Sequence, residues 1–250
     1  MCTIVILRRA GHPWPLLVAA NRDEMLSRAA LAPGRYWPEQ PQVIAGRDLD
    51  AGGTWLGLND HGMVAAISNR RGSLGPAPGL RSRGEIPLKA LAHDKAASAA
   101  ADLAALDAGL YRPFNLVIAD REDAFWLCNR EAADAIDCTV IPAGLSMLTV
   151  AELDDRTSPR IHHYLPKFRQ AAPPRPGAGD WAEWQALLAS AEGAGADDPN
   201  SAMTVVAVDG FGTVSSSLIA LPDAPASRPV WLYADGRPDE TPFDTVDLRD

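Results

Sequence analysis

Short apolar runs separated by polar, glycine-containing turns recur along this chain, and their length and spacing predict strands more often than helices. Thr3, Ile4, Val5, Ile6 and Leu7 form the first run, and residues 14–20 form the second. Val43, Ile44 and Ala45 make a short strand. Runs at 54–58 and 63–68 flank Asn59, Asp60, His61 and Gly62, which are turn residues where a β-hairpin needs them. The same reading gives a hairpin from 115–119 and 124–129, a short β stretch holding Cys138 and ending at Ile141, and a strand at 145–150. It also gives a last hairpin from 203–208 and 214–221 about Asp209 and Gly210, and one more strand at 230–233.

Helical spacing is confined to three places. Residues 86–106 are Ala-rich, with Leu88, Leu91, Leu103 and Leu106 on one side, and predict one long helix or two shorter ones. Ser158 followed by Pro159 suits a helix start, with Arg156, Arg160, Lys167 and Arg169 read as its solvated face. Residues 181–192 place Trp181, Trp184, Leu187 and Leu188 together as core. Loops are expected at 25–42, at 70–84 as a flap or connection, at 171–179 and at 193–200. Strands paired through local turns, with helices gathered between blocks, predict an α+β fold of mostly antiparallel sheets in a single domain over 1–250.

Hydrophobic residues make up 47% of the chain, ample for a packed core, and the net charge is -9 with a pI near 5.0. That charge opposes binding to nucleic acid or to anionic membrane surfaces, both of which attract basic faces. Cys2, Cys128 and Cys138 are too few and too irregular for a disulfide framework, so a reduced, cytoplasmic setting is expected. No apolar run is long enough for a membrane span, so no stable membrane insertion is expected. His162 and His163 are adjacent and diverge on a helix, and the cysteines match no metal spacing, so no metal is expected. Dinucleotide-binding, P-loop and serine-hydrolase motifs are all missing.

The chemistry concentrates near the start. If Met1 is removed, Cys2 carries a thiol and a free α-amine, and an amine titrating near pH ~8 can serve as base to its own residue's nucleophile. The alternative is a small apolar Cys entering a buried strand. Asn21, Arg22, Asp23 and Glu24 follow the second strand as donor, cation and two carboxylates; Asp23 and Glu24 equally suit the first turn of a helix. Gly52 and Gly53 permit a positive φ or a close backbone approach. Asn69 ends the 54–68 hairpin, where its amide suits either an oxyanion or a turn. Cys2, Asn69, Arg22 and Asp23 are the candidate catalytic set, and Asn21, Glu24, Gly53, Trp55 and Arg70 the candidate contacts to a small-molecule substrate.

MCTIVI, AANRDE, AGGTWLGLNDHGMVAAISN and AMTVVAVD, in that order, resemble the NRDE family, whose animal members are called transport and Golgi organisation proteins. The resemblance implies an N-terminal-nucleophile hydrolase type of fold, a four-layer αββα sandwich of two antiparallel sheets. More distantly, Cys2 and the GLNDHGMVAAISN hairpin look like choloylglycine hydrolases and penicillin V acylases, which cleave linear amides. That likeness implies an oxyanion role for Asn69 and a thiol-holding role for Arg22 and Asp23, although the order of polar types differs. Against the NRDE family, this chain has Met147 where relatives commonly carry an Asn, and a thioether donates no such hydrogen bond. The family implies a second option, a non-catalytic carrier for haem or an acyl-CoA-like lipid; no cofactor is required, and haem is a possible ligand.

Overall fold

The computed structural model describes residues 2–193, 201–224 and 227–249, so most of the loop expected at 193–200 lies outside the described residues. In chain order the strands and helices are β1 (Thr3–Arg8), β2 (Leu16–Met25), β3 (Ala30–Gly34), β4 (Val43–Asp48), β5 (Leu56–Asn59), β6 (Val64–Asn69), α1 (Glu85–Leu91) and α2 (Ala96–Ala104). They continue with β7 (Phe114–Ala119), β8 (Ala124–Asn129), β9 (Asp137–Val140), β10 (Gly144–Leu148), α3 (Pro159–Gln170), α4 (Ala182–Leu188), β11 (Phe211–Leu221), β12 (Val230–Ala234) and β13 (Asp244–Thr245). The fold is α+β, with two antiparallel sheets, and the chain divides into two compact units: Met1–Ser27 with Ala143–Val246, and Arg28–Pro142 with Asp247–Asp250.

The first unit holds a six-stranded sheet in the order β10-β1-β2-β11-β12-β13. Strand alternation sends Val5, Leu17, Ala19, Met147, Leu218 and Ala220 to the face covered by α3 and α4. There they meet Ile161, Tyr164, Leu165, Phe168, Trp184 and Leu188, and the Phe168 and Trp184 rings stand edge to face at 5.4 Å. Each such side chain contributes roughly 1.5–3 kcal/mol by leaving water.

The second unit is a seven-stranded meander in sequence order, β3 to β9. One face buries Val43, Ala45, Met63, Ala65, Leu116 and Ile118 against the Ala-rich side of α1 and α2. The 86–106 region is therefore two helices, and polar turn residues fix the break. Asn59 donates from Nδ2 to the Leu91 and His93 carbonyls at 3.0 and 2.8 Å, satisfying the end of α1, while Asp120 accepts from the Ala96 amide at 2.8 Å at the start of α2.

Three expectations need correction. Residues 25–42 are not all loop: β3 forms inside them as an edge strand, where Pro33 is tolerated because an edge residue need not donate. Residues 203–208 are not a strand, because β11 pairs with β2 along its whole length, from Phe211↔Met25 to Leu221↔Leu16. The 203–208 segment is instead tied to β11 through Val205 and Thr213: the Thr213 amide donates to the Val205 carbonyl at 3.0 Å and the Val205 amide to Thr213 Oγ1 at 2.8 Å. Lastly, Arg160 is not on a solvated face but 1% exposed.

Gly53 shows why a glycine is required in the second unit. A Cβ there would lie 2.4 Å from the Gly84 carbonyl carbon, and the Thr54 amide donates to the Gly84 oxygen at 2.9 Å. Both neighbours are backbone and cannot swing away. Gly53→Ala is expected to lower stability by roughly 1–3 kcal/mol, read as a lower urea midpoint at unchanged slope.

Candidate active site

The polar quartet lies within a strand, not after its end. Across β2 and β11 the pairs are Asn21↔Ser216, Arg22↔Ser215 and Asp23↔Thr213, with a bulge between Thr213 and Ser215. A polar partner strand lets these residues stay extended although their own propensity is poor. Alternation then splits the quartet: Asn21 and Asp23 share the helix-covered face with Thr3 and Val5, while Arg22 shares the opposite face with Ile4, Ser215 and, one strand further, Tyr233.

Asp23 is the hub on the helix side. Its carboxylate accepts from Arg160 Nη1 at 3.0 Å and from Thr213 Oγ1 at 2.7 Å, and Arg160 Nη1 also donates to Thr3 Oγ1 at 2.7 Å. Side-chain exposure is 1% for Arg160 and 0% for Asp23, so this charge-assisted network is dry. It joins the first turn of α3 to β1, β2 and β11 immediately beside Cys2. Sequence reasoning missed Arg160, Thr213, Ser215 and Tyr233; the only signal was the polar TVSSS run in an otherwise apolar strand.

Cys2 is partly exposed, and its thiol donates to the Asp23 backbone oxygen at 3.5 Å. Burial, helped by the Asp23 carboxylate charge, pushes the thiol up, while the N-terminal amino charge, the bond to the Asp23 carbonyl and Arg22 pull in the other direction without prevailing. Tyr233 is pushed up to about 12, chiefly by burial and further by Asp235, which accepts from its hydroxyl at 3.3 Å, so it stays a neutral donor at any working pH. A raised thiol is more protonated when folded than when unfolded. Its stabilising contribution is therefore complete below the ~8.5 of a free thiol and is lost as pH rises through the higher folded value. In a chain that retains Met1, iodoacetamide labelling of Cys2 is expected to reach half its maximal rate above that pH; a midpoint at or below it contradicts this.

The other candidates are occupied in different ways. Asn21 Nδ2 donates to the Leu188 and Met203 carbonyls at 3.0 and 2.9 Å, and its Oδ1 accepts from Ser216 at 2.6 Å, so its whole amide ties β2 to its neighbours. Glu24 accepts from the Met25 amide at 3.0 Å. Met147 is buried in the α3–α4 core, with its backbone exchanging bonds with Asp154.

Gly53, Trp55, Asn69 and Arg70 belong to the second unit. There the Trp55 ring fills the space beside Gly46, Asn69 ends β6 in register with Phe114, and Arg70 donates to Asn115 Oδ1 at 2.7 Å. Among the described residues no group of three or more His, Cys, Asp or Glu is placed to hold a metal ion. No helix among them is long and apolar enough to cross a membrane.

Known proteins resemble this chain both in sequence and in fold. The family described as Transport and Golgi organisation 2 matches residues 1–182. The chain belongs to this family. Curated Transport and Golgi organisation 2 homologues include one from Bos taurus, 36% identical over 114 residues, covering 44% of this chain and 40% of that protein. The homologue from Homo sapiens is 33% identical over 147 residues, covering 54% of this chain and 51% of its own length.

The matched region thus spans about half or less of these curated relatives. Among solved structures, the Caenorhabditis elegans N-acylethanolamine-hydrolyzing acid amidase ortholog superposes with a TM-score of 0.55 at 12% identity, over 89% of this chain and 94% of the other. A mutant conjugated bile acid hydrolase from Clostridium perfringens gives 0.54 at 10% identity over 99% and 97%. At such identities the likeness is one of fold, that of the N-terminal-nucleophile hydrolases, shared here by a member of the Transport and Golgi organisation 2 family.

Proposed function

We propose that this protein is an N-terminal cysteine hydrolase acting on a small linear amide or thioester. The observation that carries the reading is Cys2 itself: a partly exposed thiol held at the Asp23 carbonyl, beside Arg22, at the head of a strand locked by the buried Asp23–Arg160 pair. The fold shared with an acid amidase and a bile acid hydrolase supports the reaction class.

In this scheme Met1 is removed and the Cys2 amine takes the thiol proton as sulfur bonds to the substrate carbonyl carbon. The carbonyl π electrons move onto oxygen. Collapse breaks the C–N or C–S bond, and the amine delivers its proton to the leaving group. Water, deprotonated by the same amine, then attacks the thioester on Cys2; the C–S bond breaks, the acid leaves, and the amine returns the proton to the Cys2 sulfur. Arg22 and Asp23 are positioning residues, and Glu24 is a substrate-side candidate in the same unit.

Intact mass of the expressed protein tests the premise: loss of Met1 is expected, and retention on the whole population refutes it. A panel of N-acyl amides and acyl thioesters then tests the class, with release of the acyl acid as the readout. The carrier reading has one point in its favour, since a thiol pushed up by burial is a poor nucleophile without its base. A haem titration without a Soret shift, together with no saturable acyl-CoA binding, removes it.

A further inference from the structure

The second unit contains a cavity of about 470 Å³ at the end of the sheet where β6 and β8 finish and β7 begins. Its walls are the 71–80 loop, the 108–113 segment that leads into β7, and the 130–133 turn after β8. In a protein of net charge -9, three arginines line it, Arg71, Arg112 and Arg130, against one carboxylate, Glu131. The imbalance begins in the sequence, which carries no Asp or Glu between Asp60 and Glu85.

The three cations are held differently. Arg112 donates to the Leu74 and Gly72 carbonyls at 2.7 and 2.9 Å, and more weakly to Gly75 and Pro76. All four acceptors are neutral, so Arg112 shapes the loop while its charge stays uncancelled. Arg130 is paired with Asp137 and stacks over Trp126. Arg71 is exposed and, among the described residues, makes no hydrogen bond or ion pair. Pro76, Pro78 and Leu80 supply apolar wall beside it, and Leu80 is 38% exposed. An intramolecular role accounts for Arg112 and Arg130 but leaves Arg71 and the exposed apolar wall unexplained.

We propose that this cavity binds a small amphipathic anion, a carboxylate or phosphate group on an apolar body. The anionic group sits on the Arg71 fork within the field of Arg112, and the body lies along Pro76, Pro78 and Leu80. A guanidinium suits both head groups because its parallel N–H donors match two oxygens, and the volume falls in the range of small-molecule pockets, roughly 300–1,000 Å³. The site uses no part of Cys2 and is independent of the hydrolase reading.

Calorimetric titration of the full chain, with dodecanoate and dodecyl phosphate below their micelle concentrations, tests it by binding and not by turnover. Saturable one-to-one binding is expected for at least one, identifying the head group, and it should weaken as salt rises. Arg71→Glu should weaken binding at least tenfold. Ala77→Phe, which fills the lining, should do the same without touching charge. Arg175→Glu, an exposed cation of the first unit, should change nothing. The proposal is overturned if neither anion saturates, if both lining variants bind within twofold of the parent, or if neutral dodecyl maltoside binds equally well.

Discussion

Arg160→Met is expected to lower the free energy of unfolding by about 3–5 kcal/mol, the cost of removing one partner from a buried ion pair. The size follows from what remains. Asp23, with a fully buried side chain, keeps the Thr213 hydroxyl but loses the Arg160 guanidinium, and Thr3 loses its bond from Arg160. A carboxylate in that position is far costlier than either an intact pair or an apolar replacement. The double variant Arg160→Met with Asp23→Leu is therefore expected to recover a large part of the loss. Urea unfolding of the two variants measures this, and a single-variant loss under 1 kcal/mol, or a double variant no better than the single, would show that the pair does not hold the sheet. Cys2 provides a second readout. The network anchors β1 through Thr3, so iodoacetamide should reach the thiol faster in the single variant even below its unfolding midpoint.

The same network shows what could be read from the sequence. The 115–119 and 124–129 hairpin was legible because both strands are apolar, the turn is local, and each strand's partner is its neighbour in sequence. The hairpin closed by Asn59 to Gly62 was legible for the same reason. Arg160 was not: an arginine after a Ser-Pro helix start has the same local signature whether it faces water or a carboxylate, and its partner lies 137 residues away. The polar quartet misled in a related way. A strand's end was read where polarity began, whereas the strand continues because Thr213, 190 residues from Asp23, offers a matching hydroxyl. Similarly, the mistaken hairpin at 203–208 came from assuming that β11 pairs with the nearest apolar run. It pairs with β2 instead, and long-range pairing of that kind leaves no local trace.

Cys2→Ala is expected to abolish hydrolysis, with a loss of at least about 10³-fold and up to the roughly 10⁶-fold seen when a nucleophile is removed from a related class of enzyme. It should do so without unfolding the chain, because the sulfur's bond to the Asp23 carbonyl, at 3.5 Å, is long and weak. Arg160→Met and Cys2→Ala therefore separate cleanly: the first moves the urea midpoint, the second moves the rate and leaves the midpoint within about 0.5 kcal/mol. Cys2→Ser keeps the α-amine and the geometry but replaces a thiol with a far weaker acid, so it should fall between parent and Ala. The pH profile adds an independent check. With the Cys2 amine as the base, attack depends on that amine being free, and kcat/KM should rise with pH until the amine has titrated near ~8. A rate that is flat from pH 6 to 9, or that survives Cys2→Ala, would assign the chemistry to another group and leave Cys2 as the head of a well-anchored strand.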